Sequence, residues 1–259
     1  MAPILDCNQY GYDPSHAAAI VFLVLFALET LIVLAYSIRQ PWLIAVVVGG
    51  VGELAGWGGR YWAANSPCDN NAFLMQICSL IIAPCFFSAG LYIIMGRMIR
   101  HARELSLLPP KGFLWIFCVA DFISLVLQGA GGGLASTAKT RPARDIGTHV
   151  MEAGIIFQLV AMSAFVTLGL IFGYSAWGKI KIPKSLLLSM GLATIMIFIR
   201  NFYRAVELSQ GWSGYLITHE VYAIALDGGP MSICLGSFAI MCIFGLLRKG
   251  SQLEQSQPH

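Results

Sequence analysis

The sequence predicts an all-α polytopic membrane protein: one bundle of seven transmembrane helices, amino terminus outside and carboxy terminus inside. Three observations predict it. The 259 residues are 57% hydrophobic and only 11% charged, with mean hydropathy +0.72. That is too little charge to cover a soluble domain of this size. The apolar residues are gathered into runs long enough to cross a hydrocarbon core. Lysine and arginine are unevenly distributed between the two sets of connecting segments, and this asymmetry sets orientation.

In chain order, Met1 to Ser15 is polar or acidic and lacks a cationic start, so it reads as an extracellular tail and not as a cleaved leader. The first apolar run is long enough to remain as a signal-anchor. Spans are expected at about 16–38, 41–64, 71–99, 112–136, 147–174, 185–209 and 215–247. Within lipid each must be helical, because only a helix pairs all of its own backbone groups. The transmembrane domain thus covers 16–249 and leaves a short cytoplasmic tail, 250–259. The connections carry turn chemistry: Gln40-Pro41, Asn65-Ser66-Pro67, Pro109-Pro110, Arg141-Pro142, Ile182-Pro183 and Gly211 to Gly214.

With the amino terminus outside, the inner segments hold Arg39, Arg97, Arg100, Arg103, Lys111, Lys179, Lys181, Lys184, Arg248 and Lys249. The outer segments hold only Lys139, Arg141 and Arg144, and Arg60, Arg200 and Arg204 fall inside spans. Cys7 and Cys68 both lie on the outer side, where disulfides persist, and a bridge between them is expected. The remaining cysteines fall within spans and read as small packing residues. A ring of Trp57, Tyr61, Trp62, Trp212 and Tyr215 matches an interfacial aromatic belt.

Ionisable residues inside a span are costly, so each is a candidate for function. They are Glu29, Glu53, Arg60, Asp121, Glu152, Arg200, Arg204, Glu207, Glu220 and Asp227. Glu29 stands alone on its helix and is the weakest candidate. The direction of each span puts Arg60, Gln128, Arg200, Arg204, Glu207, Glu152, Glu220 and Asp227 in the outer half, with Glu53 and Asp121 near mid-depth. Spacings of seven join Glu53 to Arg60, Asp121 to Gln128 and Glu220 to Asp227. Arg200, Arg204 and Glu207 form one stripe. These stripes are expected to face one outward-opening polar cavity in which acids and arginines pair. Purely structural ties between helices are the alternative for any one of them. Asp227-Gly228-Gly229-Pro230 should interrupt the seventh helix, and Ala83-Pro84 should kink the third. Gly129 to Gly133 would admit a helix or a ligand, whereas Gly52 and Gly56 suit plain helix packing.

The chain also resembles the fungal RTA-like proteins, the lipid-translocating exporter family. The resemblance rests on Tyr10-Gly11-Tyr12-x-Pro14-Ser15, Glu53-x-x-Gly56-x-x-x-Arg60 and Ala83-Pro84-x-x-x-Ser88-Ala89-x-x-Tyr92. It continues through Asp121-x-x-Ser124-x-x-x-Gln128 with Gly131 to Gly133, then Gly154-x-x-x-Gln158, Arg200-x-x-x-Arg204-x-x-Glu207, and Glu220 with Asp227 and Pro230. Through this resemblance Gln158 joins the candidate ligand-binding residues. The resemblance implies a fungal membrane, most simply the plasma membrane. It also implies export or translocation of sphingoid long-chain bases, resistance to membrane-active compounds and, in one branch, porphyrin uptake.

The expected function is therefore non-enzymatic binding and movement of an amphipathic small molecule or lipid, with membrane lipids as partners and no nucleic acid. No nucleotide-binding motif is present, which excludes direct ATP-driven pumping. A seven-helix receptor for a lipid or xenobiotic is the alternative. A metal-dependent intramembrane lipid hydrolase is a third reading, with His149 and His219 as candidate zinc ligands beside Glu152, Glu220 and Asp227. The same histidines would be the candidate axial ligands of a haem or porphyrin. No cofactor is expected.

Overall fold

The computed structural model describes residues 14–101, 104, 109–138, 140–176, 184–210, 215, 216 and 219–244. Among these residues, seven helices are long and apolar enough to cross a membrane. They are α1 (His16–Ser37), α2 (Ile44–Asn65, entered through a 3-10 turn at Pro41–Leu43), α3 (Asn70–His101), α4 (Pro110–Thr137), α5 (Arg141–Ala176), α6 (Lys184–Ser209) and α7 (Glu220–Ile243). The protein is a multi-pass membrane bundle. Pro183, Gly211 to Gly214, Trp212 and Lys139 lie outside the described residues, as does Cys7 of the expected Cys7–Cys68 bridge.

Each helix packs against its neighbours in sequence, and α7 returns to pack against α1, closing a ring. α3 and α7 are the most buried, and α3 also reaches α6 and α7. The outer faces carry exposed Leu28, Leu31, Trp115, Phe122, Leu170 and Leu188, the inverse of a soluble surface and the correct one for lipid. α1, α3, α5 and α7 begin at one end of the bundle, and α2, α4 and α6 finish there; this is the amino-terminal end.

Two boundaries differ from expectation. α5 begins at Arg141, six residues before the expected start, so Arg141 and Arg144 belong to a helical turn and not to a loop. Pro142 is tolerated there because a first-turn N–H has no intrahelical acceptor to lose. For the same reason α4 starts at Pro110, capped by extended Pro109. α3 runs unbroken through Pro84. The expected interruption in α7 is a π-turn, Ile224–Gly228, in which the Gly229 N–H donates to the Ile224 carbonyl. Pro230 cannot donate the α-type hydrogen bond that would follow, and a wider turn accommodates that loss.

Close approach of helices depends on glycine at specific sites. A Cβ on Gly59 would stand 2.8 Å from the Gln76 backbone nitrogen, and one on Gly56 would collide with Leu80, so α2 lies tightly on α3. In the 129–133 run only Gly131 is in close contact: a Cβ there would stand 2.4 Å from the Met151 nitrogen, facing Gly147, while Gly129 and Gly133 have nothing within 4 Å. That run therefore seats a helix.

The far half of the bundle is closed by aromatic rings. Tyr92 lies 4.8 Å from Phe165 and 5.4 Å from Phe117, and Phe113 lies 4.9 Å from Phe117, centroid to centroid. The polar residues gather in the other half.

Candidate functional site: a buried arginine–carboxylate cavity

The site is built by turns of α2, α3, α4, α5, α6 and α7 near the amino-terminal end. A cavity of about 60 Å³ is lined there by Trp57, Arg60, Gln76, Gln128, Gln158, Arg200, Asn201, Arg204, Glu207 and Asp227, with Leu80, Ile81, Met151 and Ile155 as apolar wall. The volume accommodates a few water molecules. Pockets for drug-sized ligands start at roughly 300 Å³.

Asp227 is the centre of the network. Its Oδ1 accepts from Arg200 Nε at 2.8 Å, and its Oδ2 accepts from Arg204 Nη2. Arg200 also donates to the Leu80 carbonyl, tying α6 to α3. Arg204 Nη1 donates to Glu207 Oε2 at 3.0 Å, and Tyr203 Oη donates to Glu207 Oε1 at 2.8 Å. The i, i+4, i+7 spacing on α6 makes this possible, since it presents both guanidinium groups and the carboxylate on one face. The π-turn lies in the same stretch as Asp227, and it brings Gly228 against Trp57 and Phe22, where a Cβ would stand 2.4 Å from the indole.

Toward the amino-terminal end, Arg60 Nη2 donates to Glu220 Oε1 at 3.0 Å, and the same oxygen accepts from the Ser15 backbone nitrogen at 2.8 Å. One carboxylate thus ties α2, α7 and the start of α1. The Arg60 guanidinium lies 5.6 Å from the Trp57 ring centre, within cation–π range. Arg60→Met should lower stability by about 1–2 kcal/mol, because Glu220 is partly exposed and water screens part of its charge. Glu220→Gln should cost a similar amount, and the double variant little more than either. Thermal unfolding of the three purified proteins checks this, and full additivity would show that the pair is not coupled.

On the α3–α4–α5 side, Gln128 Nε2 donates to Gln158 Oε1 at 2.9 Å, and Gln158 Nε2 donates to Cys85 Sγ at 3.3 Å. Asp121 lies beyond them, near Tyr92, with its Oδ2 buried and without a hydrogen-bond partner.

Of the eleven expected ligand-binding residues, Arg60, Gln128, Gln158, Arg200, Arg204, Glu207 and Asp227 reach the cavity wall. Glu220 stands one residue behind, through Arg60. Glu53 is buried behind the wall and acts electrostatically on Asp227, Arg200 and Arg204, yet both of its oxygens lack a hydrogen-bond partner. Its spacing to Arg60 does put the two on one helix face, but Arg60 pairs across to α7. Glu152 is turned away; it lies 3.5 Å from the largely exposed His149. His219 is also exposed, with Nδ1 2.8 Å from the Tyr215 carbonyl. Among the described residues no three of His, Cys, Asp and Glu converge as a metal site would require. Asn201 and Gln76 line the cavity, and Tyr203 holds Glu207, without belonging to the expected set. Their signal was plain polarity within apolar spans, and Asn201 adjoins the Arg200 stripe.

A family model described as RTA1 like protein matches residues 46–250. The chain belongs to the RTA1-like family. This RTA1-like protein is 32% identical over 274 residues to Sphingoid long-chain base transporter RSB1 of Saccharomyces cerevisiae, covering 89% of this chain and 72% of that one. It is 28% identical to Protoporphyrin uptake protein 1 of the same organism, over 91% of this chain and 92% of the relative. With Protein RTA1 it shares 27% identity over 95% and 90%. No solved structure matches this RTA1-like protein. The likeness supports transport of lipids or small molecules across a membrane.

Proposed function

We propose that this protein moves an amphipathic lipid amine of the sphingoid long-chain type, passing its head group through the arginine–carboxylate cavity. The observation that supports this reading is a surplus of buried acidic groups over basic ones. Arg60, Arg200 and Arg204 are answered by Glu220, Asp227 and Glu207. Glu53 and Asp121 remain, 1% and 5% exposed, with both carboxyl oxygens of Glu53 and one of Asp121 lacking a hydrogen-bond partner. Surplus acid favours a cationic head.

Size supports the same choice. About 60 Å³ suits an amine and its hydroxyls, but neither an alkyl tail nor a porphyrin macrocycle. The tail would stay among the apolar faces of the helices and lipid. The relative named as a sphingoid long-chain base transporter supports this cargo class more directly than the one named for protoporphyrin uptake. The basic-residue asymmetry supports an outward amino-terminal end, and with it a cavity that would face the exterior of a plasma membrane. The reading requires no cofactor and no bond-making chemistry. Energy would come from an ion gradient or from lipid asymmetry.

Purified protein in liposomes, given a labelled long-chain base, should accelerate its movement between leaflets. Glu53→Gln should slow that movement about tenfold, the worth of one charge-assisted hydrogen bond. Equal movement with and without protein would overturn the reading.

A further inference from the structure

Glu29 lies outside the cavity, on the opposite flank of α7. It stands thirteen residues into α1, and Ser232 stands twelve into α7. At 1.5 Å per residue both sit roughly 20 Å from the amino-terminal end, near the middle of a hydrocarbon core about 30 Å thick. Ser232 Oγ donates to Glu29 Oε1 at 3.2 Å. One turn along α7, Gly236 faces the same carboxyl. A Cβ built there would meet Glu29 Oε1 at 3.1 Å and Glu29 Cδ at 3.9 Å, with nothing else inside 4 Å. The missing side chain leaves a notch floored by a carboxyl group.

This seam is partly open to lipid. Glu29 and Gly236 are half-buried. Leu25 and Leu28 on α1, and Ile233 and Ile240 on α7, present exposed apolar surface beside it. Glu29 has no ion-pair partner among the described residues, and its Oε2 is buried without a hydrogen-bond partner. Further inward, Cys234 lies within electrostatic reach of both Glu29 and Glu53. A carboxyl at this depth is expensive. A simple interhelical tie to Ser232 would need neither an acid nor an open notch.

We propose that Glu29, Ser232 and the notch at Gly236 form a membrane-facing site for the primary ammonium head of a single-chain amphiphile arriving sideways from the bilayer. Glu53 is then the next carboxyl on the way to the arginine-lined cavity. The site's cargo class rests on the reading under Proposed function; its location rests on the α1–α7 geometry. An ammonium has three donors and no acceptor, which matches the Glu29 carboxylate and the Ser232 hydroxyl oxygen. The alkyl chain lies along Leu25, Leu28, Ile233 and Ile240 without leaving lipid. The small volume of the inner cavity favours such a route, since it leaves little room for a tail beside the head.

The test uses the full chain in nanodiscs, titrated with a fluorescent long-chain amine and with its neutral N-acyl analogue. A photoactivatable long-chain amine identifies the contact. Glu29→Gln retains the size and the acceptor for Ser232, so a structural tie survives. It should weaken amine binding about tenfold or more and leave the neutral analogue unchanged. Gly236→Leu, which fills the notch without changing charge, should remove crosslinks to α1 and α7 peptides. If Glu29→Gln binds and crosslinks the amine like the unsubstituted protein, and the unsubstituted protein moves the amine between leaflets, the seam site is overturned and the transport reading stands. If the unsubstituted protein neither binds nor moves the amine, both fall.

Discussion

Asp227→Asn should destabilise the folded protein by about 3–5 kcal/mol and abolish movement of the lipid amine. The change is nearly isosteric, so packing is preserved and only charge is lost. One carboxylate serves two guanidinium groups, Arg200 through Nε and Arg204 through Nη2, and all three side chains are largely buried. Without it, both arginines remain in a low-dielectric setting with a single carboxylate, Glu207, held by Arg204. Removing one partner of a buried pair is far costlier than the net worth of the pair, because the stranded charge keeps its desolvation penalty. Glu53, buried nearby and unpartnered, offers a substitute that limits the loss. Asp227→Asn combined with Glu53→Gln should therefore be worse than the sum of the single variants. Thermal unfolding in detergent or nanodiscs measures the stability, and proteoliposome flux measures the function. A loss below about 1 kcal/mol would show that the network is solvated and not buried.

Gly131→Ala should cost about 2–3 kcal/mol, while Gly129→Ala and Gly133→Ala, two residues to either side, should be neutral or slightly stabilising. A methyl group on Gly131 would stand 2.4 Å from the Met151 nitrogen and 2.6 Å from the Gly147 carbonyl oxygen. Both are backbone atoms, so relief requires α4 and α5 to part rather than a side chain to rotate. Overpacking of this kind costs about 1–3 kcal/mol where a core can adjust, and two packed helices adjust poorly. Gly129 and Gly133 face open space, and alanine there gains up to about 1 kcal/mol of helix propensity. Midpoints of thermal unfolding for the three variants provide the comparison. Equal effects at all three positions would mean that the run does not seat α5.

Both results depend on pairings that spacing alone leaves open. The sequence places Arg200, Arg204 and Glu207 on one stripe, and they do share one face of α6. It also places Glu53 with Arg60 and Glu220 with Asp227 on common faces. The structure instead pairs Arg60 with Glu220 and Asp227 with the α6 arginines, and leaves Glu53 without a partner. Periodicity states which side of a helix a residue occupies. It does not state which helix stands opposite, because that depends on how seven cylinders close into a ring. Glu152 shows the same limit: it has suitable depth and type, but the face of α5 that it shares with His149 is turned away from the cavity. Glu29 shows it in reverse. Alone on its helix, it acquires meaning only where Ser232 and Gly236 lie opposite.

The sequence by itself determined the solvent, the number of spans and the concentration of polar groups toward one end. Each follows from the local requirement that backbone and side chains be satisfied in lipid, and that requirement can be read one segment at a time. Only the tertiary structure decided that the cavity is small, that Glu53 stands without a hydrogen-bond partner, and that the α1–α7 seam carries a notch. These depend on distances between residues as far apart in the chain as Glu29 and Ser232, or Arg60 and Glu220. Such distances are fixed by helix packing, in which a single glycine such as Gly59 or Gly131 sets how closely two backbones approach.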